Sequence, residues 1–397
     1  MTVTQVEIQS AVSRQVGAKN IPIGYLRGFL VALVVAHHAV LAYHPFAPPP
    51  EGSLTAPPHL WEAFPVVDPQ RWTGFSLLTG FNDVFFMALM FFLSGLFVWE
   101  GLQRKGIRLF LRDRLLRLGL PFAAAAAILA PLAYYPAYLQ RAAHPSIAEY
   151  GRQWLSLGEW PAGPAWFVWV LLVFDALAAL LYLGRPKWGN AIGRPGALFG
   201  LLVIVSAAVY VPMAILFTPF QWTDFGPFAF QTSRILYYCV YFAAGIAVGA
   251  WGLDKGLLAR GGKLAQRWLL WVIAAPIVFG IAAVLTIVTW TAHPQSRGWQ
   301  SATDFLAMLS CAVSSFAFLA LFVRFAVSRV RFFDSLRDNS YGIYLVHYAF
   351  VSWLQYALLG WSVPGAAKGL VAFAGALALS WVTTATIRRI PGVARVV

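Results

Sequence analysis

Ten stretches of this chain are apolar over the roughly 20 residues that a bilayer-crossing helix needs. They run roughly 21–44, 72–99, 115–139, 164–184, 197–218, 231–252, 268–292, 301–327, 338–360 and 367–387. Hydrocarbon offers no hydrogen-bond partners, so such segments fold as helices that satisfy their own backbone. Composition agrees, with 60% apolar and 11% charged residues, where a soluble domain carries about 25% charged. The expected fold is all-α: a polytopic membrane helix bundle of about ten transmembrane helices. Residues 21–387 form the membrane domain, between an N-terminal tail (1–20) and a C-terminal tail (388–397). The first twenty residues are polar and lack a secretory signal, so the first span serves as an uncleaved start signal.

Charge assigns the sides. Place the N-terminus inside. Of the 29 Lys and Arg residues, only Arg71, Arg141, Arg152, Arg297 and Lys368 then fall outside, and Arg27 and Arg234 fall within spans. The remaining 22 face inside. That asymmetry follows the positive-inside rule and puts both termini in the cytoplasm, in a multi-pass protein of the cell inner membrane. The net charge of +14 is therefore topology, and it calls for a lipid bilayer and no nucleic acid. Cys239 and Cys311 sit inside apolar segments, and no metal or disulfide spacing can be built from them. The proline-rich loop 45–71 reads equally as a solvated connector or as a lid over an outward-facing cleft.

The ionisable residues inside the spans carry the functional argument, because charged groups in hydrocarbon cost about 2.5–3.5 kcal/mol on insertion scales. The first span holds Arg27, His37 and His38. Arg27 and His38 are eleven residues apart, which puts them on one stripe about 16 Å apart along the axis. His37 points off that stripe. An anion-binding guanidinium near the cytoplasm and a proton acceptor deeper would fit a long donor with a phosphate-rich head and a reactive far end. The bland alternative is a snorkelling Arg27 and a His38 bonded to backbone. Asp83, at similar depth in the second span, either supports the His38 imidazole or only caps or pairs within the bundle. Asp83, Met87, Met90 and Ser94 share a stripe, and Gly95 permits a close helix contact. Arg114 and Arg117, just before the third span, are either topology signals or a phosphate cradle. Ser340, Tyr344 and His347 share one face of the ninth span, where His347 lines the cavity or is a satisfied core histidine. Asp175 is a further buried carboxylate without an assignable partner.

Five segments then read together: Arg27 to His38 (Arg, ten residues, His), FFLSGLF (91–97), Phe110 with Arg114, Arg117 and Pro121, AWFVWVLL (165–172), and SYGIYLVH (340–347). In order and on these spans, they resemble membrane acyltransferase family 3, across essentially the whole membrane domain. The resemblance implies an O-acyltransferase, transferring groups other than aminoacyl groups. Its co-substrate would be acyl-CoA, acetyl-CoA by default, bound from the cytoplasm. Its acceptor would be a hydroxyl of an extracytoplasmic carbohydrate or related molecule, and no cofactor would be bound permanently. It also strengthens His38 as the catalytic residue. With that reading, the residues themselves suggest that Asp83 supports the imidazole, that Arg27, Arg114 and Arg117 bind the donor, and that Ser94, Tyr344 and His347 line the cavity. The rival class is a glycan or acyl-intermediate transporter whose buried His and Asp relay protons. A non-catalytic envelope subunit would leave the Arg27/His38 stripe unexplained.

Overall fold

The computed structural model describes residues 21–184 and 193–396. The N-terminal tail, and the loop charges Arg185 and Lys187, lie outside the described residues. In chain order the long helices are α1 (Ile21–Val40), α2 (Gly74–Gly95) and α3 (Val98–Arg141), then a short α4 (Ile147–Ser156), α5 (Trp166–Leu183) and α6 (Pro195–Phe217). A hairpin of β1 (Trp222–Phe225) and β2 (Phe228–Gln231) follows. The chain continues through α7 (Ile235–Trp251), a one-turn α8 (Lys263–Gln266), α9 (Trp268–Ala292), α10 (Arg297–Phe325), α11 (Arg331–Ala357) and α12 (Gly365–Ile387).

Every span read from the sequence is occupied by a helix. Among the described residues eight helices are long and apolar enough to cross a membrane, or nine if α7 and the segment bent 81° after it count as one. α11 is not among them. Its inner face carries Asn339, Ser340, His347, Ser352 and Gln355, all buried, because it is wrapped by other helices rather than by lipid. The expected span 72–99 is broken: α2 stops at Gly95 and α3 begins at Val98. α3 itself is interrupted at Gly106, whose φ of 72° suits glycine. It then winds through two π turns, Leu115–Gly119 and Ala125–Leu129. The hairpin and α4 are elements that hydropathy alone did not mark.

Glycines set the closest helix contact. A Cβ on Gly245 would lie 2.1 Å from the Phe92 carbonyl oxygen, and one on Gly249 would lie 2.0 Å from that of Leu96. α2 and α7 therefore run parallel with backbones touching, which small residues permit in membranes. Overpacking such a seam costs about 1–3 kcal/mol. Gly245→Val is expected to lower the unfolding midpoint of the purified protein, and an unchanged midpoint would mean that the seam can part freely.

Loop 44–73 is a packed cap. Leu54, Trp61, Val66 and Val67 are buried, and the Trp61 indole N–H donates to Leu54 O at 3.0 Å. Asp68 and Lys368 of α12 form an ion pair at 2.7 Å with neither side chain exposed. Lys368, one of the outside charges of the topology count, is thus an internal anchor. Burial next to Glu159 pushes the Glu62 carboxyl up to about 9.

Candidate active site

α1 and α11 form the centre of the site. Gly24 and Gly28 let the Arg337 turn of α11 lie directly on α1: a Cβ on Gly28 would be 3.3 Å from Arg337 N. Further along, His347 faces His38, and the Gln355 amide donates to the His38 and Ala39 carbonyls at 2.9 and 3.0 Å. Those carbonyls are among the orphans at the end of a helix, so Gln355 caps α1 from a neighbour. α11 therefore runs parallel to α1. α12 returns antiparallel, with Trp381 Nε1 on Ser335 Oγ at 3.0 Å. Ile21 and Ile387 consequently lie at the same end of the bundle.

The histidine pair has a defined proton arrangement. His347 Nδ1–H donates to the Tyr344 carbonyl at 2.6 Å, so in the neutral ring Nε2 is the acceptor. His38 Nδ1 lies 2.9 Å from the Val34 carbonyl and 3.3 Å from His347 Nε2. Both neighbours accept, so His38 carries its proton on Nδ1. Its Nε2 keeps the lone pair, and no hydrogen bond reaches it among the described residues. Tyr348 packs edge-on to His38 with ring centres 5.1 Å apart and donates to the Glu62 carbonyl at 3.1 Å.

A cavity of about 470 Å³ opens at the end of the bundle where α1 and α11 begin. Six cationic and three carboxylate side chains line it. Three pairs account for the carboxylates: Lys105 with Asp113, Arg114 with Asp175 at 3.2 Å, and Arg337 with Asp338 at 2.8 Å. Arg27, Arg104 and Arg117 remain, exposed to the cavity, with no ion-pair partner among the described residues. Ser94, Val31 and Tyr344 form its deeper wall. His38 lies seven residues beyond Val31, about 10 Å further along α1.

The family model described as an acyltransferase domain matches residues 21–385. The chain belongs to membrane acyltransferase family 3. No curated protein and no solved structure matches it. The match and the apolar helices make it a multi-pass membrane protein and an acyltransferase, with an acyl donor, an acceptor and a surrounding bilayer.

In this acyltransferase the residues read from the sequence fall into three groups. Arg27, Arg114, Arg117, Ser94 and Tyr344 line the one cavity. His38 and His347 sit together beyond it. His347 is fully buried and not part of the cavity lining, because both its ring nitrogens face neighbours. Asp83 joins neither group. Its carboxylate pairs with Arg234 at 2.6 Å, and His37, stacked on Phe86, is the histidine within its field. The expected Asp83–His38 pairing is therefore corrected. Residues 37 and 38 point about 100° apart on a helix, and α2 faces the first of them. Asp175, singled out in the sequence without a partner, finds Arg114. Sequence reasoning missed three participants. Arg104 and Arg337, counted only among the inside charges, line the cavity. Tyr348 backs His38, and its adjacency to His347 was the one available signal. The C-terminal tail also contributes, since Ala394 and Val396 lie at the cavity mouth.

Proposed function

We propose that this protein is an O-acyltransferase of the cell inner membrane. It moves an acyl group, acetyl by default, from cytoplasmic acyl-CoA to a hydroxyl of an extracytoplasmic glycan or related acceptor. One observation carries the reading: three unpaired guanidinium groups surround a cavity mouth, and the base-form nitrogen of His38 lies beyond its inner wall on the same helix stripe.

Guanidinium forks match phosphate oxygens, so Arg27, Arg104 and Arg117 would hold the nucleotide end of the donor, with Arg114 oriented by Asp175. The acyl-bearing arm would extend past Val31 and Tyr344 toward His38. His38 Nε2 takes the proton of the acceptor hydroxyl as its oxygen attacks the thioester carbonyl. The new C–O bond forms, the C–S bond breaks, and the proton passes from the imidazolium to the departing thiolate. His347 and the Val34 carbonyl hold the tautomer that leaves Nε2 basic. Both termini are cytoplasmic in this reading, which is supported by the positive-inside asymmetry and by the shared end of α1 and α12.

The test is thioester turnover in lipid nanodiscs with labelled acetyl-CoA, following free CoA and labelled product in envelope extract. Turnover coupled to product labelling is expected. Folded protein that neither binds nor cleaves any of several acyl-CoA donors, yet moves solute with a proton gradient, would establish the transporter instead. Losing a hydrogen bond to a charged group costs about 1.5–3 kcal/mol, so Arg27→Ala is expected to raise KM for acyl-CoA roughly ten- to a hundredfold. Arg27→Lys should recover part of that loss if charge alone matters. An unchanged KM in Arg27→Ala removes this arginine from the donor site.

A further inference from the structure

The opposite end of the bundle holds a second constellation that acyl transfer does not use. His59 and Glu62 come from loop 44–73, and Glu159 from the turn before α5. One ligand atom from each, an imidazole nitrogen and two carboxylate oxygens, lie within 4.8 Å of one another. His59 Nδ1 is 3.8 Å from Glu62 Oε1 and in direct contact with Glu159 Oε1. Their side chains are 19%, 32% and 26% exposed, so an ion can reach them while protein holds them in place. Asp224 on β1 adds a third carboxylate to the same field. No Lys or Arg among the described residues pairs with Glu62, Glu159 or Asp224. The three carboxyl groups around a single imidazole offer oxygen ligands for which no Lys or Arg competes among the described residues, and a cation bound there would take the place of the proton that burial holds on Glu62.

We propose that His59, Glu62 and Glu159 bind a zinc-type divalent cation that staples the loop to the approach of α5. One imidazole nitrogen and two carboxylate oxygens are donor types that zinc takes at about 2.0–2.2 Å, with water completing a tetrahedron. Ligands so arranged stand about 3.4 Å apart, so closing on the ion asks for side-chain adjustments of about an ångström. The staple has a functional address. The backbone carbonyl of Glu62 accepts hydrogen bonds from Tyr134 and Tyr348, each at 3.1 Å, and the Tyr348 ring rests on His38. The ion thus holds the loop that positions a neighbour of His38, and it touches no reacting atom.

The experiment uses the full chain in nanodiscs, stripped by chelator and titrated with zinc chloride, with calcium and magnesium chloride as parallel probes. One zinc per chain by elemental analysis is expected, together with a higher unfolding midpoint, and both should be lost in Glu159→Gln. Glu159→His keeps a donor at that position and should retain the ion. Should Glu159→Gln not fold, His59→Gln carries the same expectation. Folded wild-type protein without stoichiometric zinc overturns the proposal, as does zinc binding undiminished by both substitutions. Calcium or magnesium bound in preference to zinc overturns the assignment of the metal. These readouts do not depend on acyl transfer, so they stand or fall apart from the proposed function.

Discussion

Replacing His38 with alanine is expected to abolish acyl transfer while leaving a folded bundle. His38 is half-buried and its ring donates only to the Val34 carbonyl and toward His347, so truncation removes few packing contacts. A positioned general base contributes about 10²–10⁴-fold to rate, and the variant should lose at least that much in CoA release from labelled acetyl-CoA. His347→Gln is expected to lose less. Its effect should include a changed pH profile, because His347 acts only through the tautomer of His38. Following label left on the protein separates direct transfer from a transient acyl-histidine. Normal turnover by His38→Ala would sink the mechanism.

The largest stability effect is expected at the other end, from Lys368→Met. Its ammonium and the Asp68 carboxylate are fully buried and 2.7 Å apart. Removing one partner strands the other charge out of water, which costs about 3–5 kcal/mol. Replacing both by apolar residues of similar volume is often neutral or stabilising, so the double variant Asp68→Leu, Lys368→Met should recover most of the loss. Thermal unfolding in nanodiscs reads both. A single variant as stable as the parent would mean that water reaches the pair.

How far the sequence reached is clearest on α1. The pairing of Arg27 and His38 on one stripe follows from helix geometry alone, and the structure keeps Arg27 on the cavity and His38 beyond it. The basic run before the third span yielded Arg114 and Arg117, both on the cavity wall. For Asp83 the sequence leaves two readings open, support of His38 or a pair within the bundle, because depth in the membrane says nothing about azimuth, and the structure takes the second. Its partner, Arg234, lies 151 residues later in the chain. Loop 44–73 resisted reading for a related reason: its proline content describes backbone stiffness, whereas its order comes from Trp61, Val66 and the Asp68–Lys368 pair meeting other elements.

The sequence by itself determined the all-helical membrane fold and the places of its apolar segments, the charge asymmetry between their ends, and the spacing of ionisable groups within any one helix. Those are local quantities, set by hydropathy and by a rise of about 1.5 Å and a turn of about 100° per residue. Tertiary structure alone decided which helix faces meet. It chose His347 as the neighbour of His38, Arg234 for Asp83 and Asp175 for Arg114, and it brought His59 and Glu62 of one loop to Glu159 of another. The physical reason is that lipid tails are as apolar as leucine, so hydropathy does not rank one helix neighbour above another. Small residues at close contacts and rare buried polar pairs make that choice, and they act across long stretches of chain.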